Sequence, residues 1–250
     1  MLDEQWLSTF APVGIIPAAG QWQPTGACVF VSRHDVVWLA TALHVLPKDD
    51  KHFGVLAPVN RTRTLFDLTD ILSHGPKVDW LTDAKHDLAV APMPTPSGIG
   101  IKALAEQQCF ELDQVLPGMS CLTGGCPYGL PGLDRATTTP IILDGVIAGK
   151  DAASRNLFIS TPTFQGNSGG PIFVVHWPFN ASGGMAVGRQ TVGLAGIVLR
   201  VHTIQTSDAK AAPLRLGAGV AIHTVLELLD GPSARGMVER IENQAARGTS

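Results

Sequence analysis

The sequence of 250 residues is poor in charge: 16% of its residues are Asp, Glu, Lys or Arg, while 45% are hydrophobic. A disordered chain needs low hydrophobicity and high net charge, and this chain has a formal net charge of −3. A helical bundle is also disfavoured, because the solvated faces of its helices need many Glu and Lys residues. The scarcity of charge therefore favours a β-rich globular protein.

Long basic and long apolar runs are both absent. The nearest to a basic run, Arg61-Thr-Arg63, indicates a solvated loop, so no nucleic-acid partner is expected. No apolar run approaches the roughly 20 residues that span a bilayer, so no membrane association is predicted. The chain starts Met1-Leu-Asp-Glu4, which is acidic where a secretory signal is basic, and a cytoplasmic location is expected.

Cysteine is scarce as well, with four residues: Cys28, Cys109, Cys121 and Cys126. A chain of this length is not a small disulfide scaffold, and cytosolic thiols stay reduced. Cys121 and Cys126 lack CxxC spacing and have no paired histidines nearby, so no zinc site is expected. The sequence predicts four reduced, mostly buried thiols.

Glycine and proline, with 27 and 18 residues, are plentiful and separate short apolar runs. Residues 27–32 and 36–41 flank a turn and predict a β-hairpin. Further strands are predicted at 54–57, 88–92, 120–123, 141–143, 156–160, 171–175 and 192–199. Helical spacing occurs at 222–229 and 234–246, interrupted by Gly231-Pro232. Many short strands favour a barrel or a sandwich, and residues 92–100 are expected to link two halves.

The most specific motif is Gly166-Asn-Ser-Gly-Gly-Pro171, which leads into a predicted strand. A nucleophilic serine needs an exposed hydroxyl and backbone N–H groups that face a developing oxyanion, and glycines permit that backbone. Such a loop alone could be an ordinary turn. Its interpretation as a catalytic loop gains weight from Ser168 having two partners elsewhere in the chain.

Those partners are His44, which closes a predicted strand, and Asp87, which opens another. Each alone has an ordinary structural interpretation. Eight histidines are present, so one near a strand end carries little information, and an aspartate at a strand end can be a cap. Together with Ser168 they give a base, an orienting carboxylate and a nucleophile in the chain order His, Asp, Ser. This is the order of the chymotrypsin arrangement, and it differs from that of subtilisin and the α/β-hydrolases.

The chain resembles the trypsin-like serine peptidases, and within them the bacterial HtrA-like branch. The resemblance covers roughly residues 20–230 in the right order, and nothing beyond residue 230 resembles a PDZ domain. It rests on Thr41-Ala-Leu-His44, Asp87-Leu-Ala-Val90, Gly166-Asn-Ser-Gly-Gly-Pro171, Gly118 with Gly125-Cys-Pro-Tyr-Gly-Leu130, Gly196-Ile-Val198 and Gly219-Val-Ala-Ile222.

The resemblance implies an all-β fold of two packed six-stranded antiparallel β-barrels, with a C-terminal helical segment. The expected divisions are an N-terminal extension (1–20), a barrel with His44 and Asp87 (21–100), a barrel with Ser168 (101–221), and a helix and tail (222–250). It also implies peptide-bond hydrolysis through an acyl-enzyme, an oxyanion hole made by Gly166 and Ser168, and no metal or cofactor.

The expected partners are a protein or peptide substrate and, for control, a protein activator or further copies of the chain. In digestive relatives an aspartate before the serine pairs with a newly cut N-terminus. Asn167 holds that position here and has no charge, so activation by clipping is not expected. Val45 follows His44 where extracellular relatives have a cysteine, so Cys28 lacks their disulfide partner.

By the resemblance, the primary specificity pocket is formed by Pro162, Thr163, Gln165, Val198, Leu199, Arg200, Val201 and Gly219. None of these is acidic, so cleavage after Lys or Arg is not expected. A small apolar pocket should favour Ala, Val or another modest aliphatic residue, with loose selectivity. Arg200 offers an alternative, since its guanidinium in the pocket would select acidic side chains.

Two other functions stay open. A protease fold that serves only for binding is one, because fold does not imply function. An esterase that uses the same triad is the other. An α/β-hydrolase is disfavoured, since Pro171 and the β run after it do not fit an elbow helix and His44 precedes the serine.

Overall fold

The computed structural model describes residues 4–17, 22–48, 52–59, 62–69, 79–93, 100–125, 140–162, 164, 166–176, 190–205 and 211–248. In the first half the strands are β1 (Phe10–Ile16), β2 (Gln23–Arg33), β3 (Val36–Ala42), β4 (His52–Val59), β5 (Thr62–Asp67), β6 (Leu81–Asp83) and β7 (Leu88–Pro92). In the second they are β8 (Ser120–Gly125), β9 (Ile141–Asp151), β10 (Asn156–Ser160), β11 (Pro171–His176), β12 (Thr191–Gln205) and β13 (Ala211–Ala221).

The helices described are α1 (Glu4–Leu7), α2 (Ile222–Asp230) and α3 (Pro232–Gly248). The predicted C-terminal helical segment is confirmed as two helices, and the chain between them turns at Gly231, where the helical spacing of apolar residues is interrupted. Among the described helices, none has the length and apolar character needed to cross a membrane.

The second half is a closed six-stranded barrel with the strand order β10-β13-β12-β11-β8-β9, completed by the pairing of β9 with β10. Its interior is filled by buried apolar side chains that include Ile147, Leu157 and Ile172. Strands β12 and β13 carry bulges near Val198, which bend the sheet as barrel closure requires. For this half the predicted six-stranded barrel is confirmed.

The first half differs from the expected second six-stranded barrel. Seven strands form one antiparallel sheet in the order β5-β4-β1-β2-β3-β7-β6, and within the described residues its two edge strands, β5 and β6, do not pair with each other. The extra strand is β1, which lies within residues 1–20, the segment expected to precede the first barrel. It pairs with both β2 and β4 near the middle of the sheet.

The predicted hairpin of β2 and β3 is confirmed. Arg33 pairs with Val36, so His34 and Asp35 form a two-residue turn, and both have positive φ angles of 52° and 57°. Such a primed turn matches the twist of the two strands.

One apolar cluster joins the two halves. It contains Phe10 and Trp38 from the first half, Phe173 and Leu194 from the second, and the buried face of α2. The expected linker, 92–100, lies mostly outside the described residues, and the Gly125–Leu130 motif does so after Gly125.

Candidate active site

Asp87 and His44 lie at the ends of neighbouring strands. Strand β3 pairs with β7 so that Ala42 is opposite Leu88, which brings the residue before β7 beside the residues after β3. His44 belongs to a short 3-10 turn, Leu43–Val45. The backbone N–H of His44 donates to Oδ1 of Asp87 at 3.0 Å, and its ring Nδ1 lies 2.7 Å from Oδ2.

The backbone of Asp87 adds a third bond, since its carbonyl accepts the N–H of Leu43 at 2.8 Å. The carboxylate favours a proton on Nδ1 of His44, which leaves the lone pair on Nε2 free to accept one. The two side chains are 47% and 37% exposed, so the pair is accessible to a substrate. An accessible imidazole in this tautomer can act as a general base.

The loop that carries Ser168 is fixed to strand β12. The N–H of Gly169 donates to the carbonyl of Val198 (2.7 Å), and the N–H of Val198 donates to the carbonyl of Gly170 (2.8 Å). Gly169 has φ +84°, and a Cβ there would overlap the Ala27 carbonyl oxygen and Oγ1 of Thr41. The glycine-rich sequence is therefore required by close approach as well as by backbone conformation.

Strand β2 of the first half holds this loop next to the His44 turn. The N–H of Ala27 donates to the carbonyl of Ser168 at 2.8 Å, and Oγ1 of Thr25 donates to the carbonyl of Val45 at 3.1 Å. Gly26 lies between the Ser168 carbonyl and the side chain of Val45, where there is no room for a larger residue. A Cβ on it would lie 2.6 Å from the Ser168 carbonyl oxygen and 2.7 Å from Cγ2 of Val45. The structure thus places Ser168 beside the neighbour of His44.

The backbone N–H groups of the described loop residues fall into two sets. Those of Asn167, Gly169 and Gly170 donate to carbonyls of Phe164, Val198 and Asn167. Within the described residues, the N–H groups of Gly166 and Ser168 have no acceptor. Gly166 has φ +100°, which favours glycine. Two unpaired donors beside a serine can serve an anionic oxygen.

The hydroxyl of half-buried Ser168 donates to the carbonyl of Leu199 at 3.2 Å. In the described part of the chain it makes no hydrogen bond with His44. Rotation about the Cα–Cβ bond of the serine moves Oγ without any change in the backbone, and catalytic hydrogen bonds often tighten only when substrate binds. The structure therefore holds the three residues in one region, with one of the two triad hydrogen bonds formed.

Asn167, directly before Ser168, is 1% exposed, and its amide nitrogen and oxygen have no partner among the described residues. It packs against Gly125, where a Cβ would lie 2.6 Å from Oδ1. A buried carboxylate in this place would need a cation beside it. The neutral amide removes that need.

The predicted specificity residues lie on two strands and one loop. Val198 and Leu199 are buried, Arg200 and Pro162 are exposed, and Gly219 pairs with Val198 across β12 and β13. Val201 pairs with Gly217 through its backbone. Thr163 and Gln165 lie outside the described residues.

Several residues at the site were not identified from the sequence. Thr25, Gly26 and Ala27 lie in the first part of β2, and only their contacts show that they join the two halves. Phe164 is 53% exposed at the start of the serine loop, an unusual position for a large apolar side chain. An exposed aromatic residue in a loop gives no sequence signal, since periodicity cannot assign its burial.

A metal centre has no support in the described residues, where no three His, Cys, Asp or Glu side chains form a group that could hold an ion. Comparison with known protein families finds no match, and comparison with curated proteins finds none. Functional inference therefore depends on the motifs and on the geometry of the site.

Proposed function

We propose that this protein is a serine endopeptidase of the trypsin-like class, similar in its motifs to the HtrA-like branch, in which His44, Asp87 and Ser168 are the catalytic triad. The observation that carries the proposal is the docking of the serine loop on β2, beside a histidine already bonded to Asp87. The closed six-stranded barrel with its neighbouring antiparallel sheet is compatible with this class.

In the proposed mechanism, Nε2 of His44 takes the proton of Ser168 as Oγ forms a bond to the peptide carbonyl carbon. The N–H groups of Gly166 and Ser168 donate to the resulting oxyanion, and Asp87 stabilises the imidazolium. His44 then gives the proton to the leaving amine as the C–N bond breaks. Water attacks the acyl-enzyme in the same way and releases the acid.

The hydrogen bond from Ser168 to Leu199 favours control of this site by a conformational step. The hydroxyl must leave that carbonyl before His44 can take its proton. Binding of substrate, of an activating partner or of another copy of the chain can supply the change. The same bond also supports the rival proposal of a silent binding module, in which the step never occurs.

The first prediction separates these functions. A fluorophosphonate probe should label wild-type Ser168, and Ser168→Ala and His44→Ala should each lose several powers of ten in peptide turnover, with little further loss in the double variant. Mass spectrometry locates the label, and circular dichroism confirms that each variant is folded. A folded wild-type chain that neither reacts with the probe nor cleaves peptides would establish the binding module. Turnover of esters but not peptides would establish the esterase.

The substrate preference is part of the same measurement. We propose cleavage after Ala, Val or a similar aliphatic residue, with selectivity of about 10- to 200-fold per methylene. Peptides that differ only in Val, Glu or Arg before the cut decide between the small apolar pocket and one entered by Arg200. A preference for Arg would contradict both.

A further inference from the structure

A second Asp–His pair lies immediately before the triad aspartate in the turn that joins β6 to β7. Asp83 ends β6, and Asp87 is the last residue of the turn. Oδ1 of Asp83 accepts the N–H groups of Lys85 (3.0 Å) and His86 (3.2 Å), and Oδ2 lies 2.6 Å from Nδ1 of His86. One carboxylate therefore makes three bonds within the turn that presents Asp87.

The pair is well packed. The side chains of Asp83 and His86 are 26% and 13% exposed. Burial by itself raises the pKa of Asp83, but hydrogen bonds from the ring and N–H of His86 and from the N–H of Lys85 lower it below its ordinary value. Asp83 is thus a carboxylate at neutral pH. Within the described residues, Nε2 of His86 is buried and has no partner, so the ring hydrogen-bonds through Nδ1 alone.

The backbone of Asp87 needs such support. Its φ is +54°, in the left-handed region that residues other than glycine rarely adopt. Such a conformation costs about 1–3 kcal/mol and persists where the surroundings determine it. From this conformation Asp87 makes its three bonds to the His44 turn.

Within the described residues, the same turn is also found between β9 and β10, where it carries no residue of the proposed triad. There Oδ1 of Asp151 accepts the N–H of Ala153 (3.0 Å), and Oδ2 accepts the hydroxyl of Ser154 (2.6 Å). Four residues after Asp151, Arg155 has φ +57° and pairs with Glu227 of α2. In both turns an aspartate cap accompanies a left-handed residue four positions later.

We propose that Asp83 is a positioning residue for the triad. Together with its partner His86, Asp83 holds Asp87 in the backbone conformation from which it bonds to His44. This inference rests on the proposed function of the triad. The hydrogen bonds of Asp83 in the described residues all lie within its own turn and none reaches His44, so the proposed effect on the triad passes through Asp87.

The experiment compares Asp83→Ala, Asp83→Asn and the matched control Asp151→Ala. We expect Asp83→Ala to lower kcat for a peptide about 10- to 100-fold, because a displacement of about 1 Å in a catalytic group costs up to about 100-fold. KM should stay within about twofold. Asp83→Asn keeps an acceptor for both N–H groups and should restore most of kcat. It also removes a negative charge that adds to the raised pKa of Arg155, which is due first to the hydrogen bond with Glu227. Asp151→Ala should leave kcat unchanged.

A second arm tests whether Asp83 acts through Asp87. In an Asp87→Ala background, Asp83→Ala should cause no further loss of kcat, since the two act as a unit. An equal loss in both backgrounds overturns the proposal, and so does an equal effect of Asp83→Ala and Asp151→Ala.

A third arm is independent of turnover. The deshielded proton of His44 Nδ1, bonded to Asp87, should be visible by NMR in the wild type, Asp83→Asn and Asp151→Ala, and lost or shifted in Asp83→Ala. An unchanged signal in Asp83→Ala overturns the positioning role. If the wild type neither cleaves peptides nor reacts with the probe, the proposed function fails, while this signal still decides whether Asp83 positions Asp87.

Discussion

At the scale of single residues, the site depends on Gly26, because no side chain fits at its position. This glycine separates the carbonyl of Ser168 from the side chain of Val45, so it sets how closely the serine loop approaches the His44 turn. A methyl group there must displace one or the other. The close approach of the Ser168 loop to the His44 turn thus depends on the absence of a side chain at this position in β2.

Gly26→Ala should therefore lower kcat by about 10- to 100-fold through displacement of Ser168 from His44, with a smaller change in KM. The matched control is Gly149→Ala in strand β9, where the nearest atom to the new methyl, in Phe158, lies at an ordinary 3.8 Å. Steady-state kinetics and thermal unfolding of both variants check the prediction. Wild-type kcat in Gly26→Ala would show that the loop does not need this close approach.

The positions of the three proposed triad residues next to strands could be predicted, because each stands in a recognisable string beside an apolar run. Their catalytic role stays a prediction. The contacts of Gly26 and Asp83 could not, because they depend on tertiary approach and on turn geometry. A Thr-Gly-Ala string at the beginning of a strand has no distinctive pattern. An aspartate four residues before another aspartate is equally compatible with an ordinary polar turn.

At the scale of elements, helix α2 is tied to the β2–β3 hairpin by an ion pair. Nε and a terminal nitrogen of Arg33 donate to the two carboxylate oxygens of Asp230 at 2.8 and 2.6 Å, and Arg33 also pairs with Glu106. Nε2 of His34 lies 3.0 Å from Oδ1 of Asp230. The pKa of Asp230 is lowered, chiefly by the hydrogen bond from Arg33.

A lowered carboxylate pKa stabilises the fold above the ordinary value of about 3.9, and the contribution disappears as pH falls through the folded-state value. Asp230→Asn should reduce the free energy of unfolding by about 1 kcal/mol at pH 7. The difference from wild type should shrink below about pH 4. Urea unfolding across pH 2–7 measures it. Glu227→Gln serves as the control. Glu227 lies on the same helix as Asp230, its pair with Arg155 is more exposed, and its loss should reduce the free energy of unfolding by less. A pH-independent difference would contradict the ion-pair explanation.

Most elements could be predicted, because apolar runs bounded by Gly and Pro mark short strands. The pattern does not predict strands β1, β5 and β6 or the first part of β13, and the expectation of a solvated loop at 61–63 is wrong, because β5 begins at Thr62. Strand β1 could not be predicted because Pro12 interrupts its pattern and proline seldom lies inside a sheet. The structure shows why it fits: Pro12 lies opposite Ala27, whose N–H and carbonyl bond to Ser168 and Thr41. The missing N–H of the proline therefore costs no bond with Ala27.

At the scale of the whole molecule, the two halves share a core. Phe173 of the closed barrel packs edge-on against Trp6, with ring centroids 5.1 Å apart, and against Phe10 at 6.3 Å. Both partners lie in the N-terminal segment expected from sequence to precede the fold. The closed barrel could be predicted from the family resemblance, whereas the seven-stranded sheet depends on this segment joining it.

Phe173→Ala should destabilise the protein by about 3–5 kcal/mol. Because the core is shared, hydrogen exchange should rise in peptides from both halves. Phe164→Ala is the control: it removes an aromatic ring of the same kind that is 53% exposed, and it should change stability by no more than about 0.5 kcal/mol. Faster exchange confined to the second half in Phe173→Ala would show that the halves unfold separately.

The anchoring of the serine loop also bears on the order of events during synthesis. The loop is bonded to Val198 and its hydroxyl to Leu199, both on a strand that is translated some thirty residues after the nucleophile. A nascent chain that has exposed Ser168 but not yet β12 can use β2, but it lacks the strand that bonds Gly169 and Gly170 through Val198. If the protein is a peptidase, we therefore expect a ribosome-bound fragment that ends before β12 to be inactive, because one of the two strands that hold its Ser168 loop is missing.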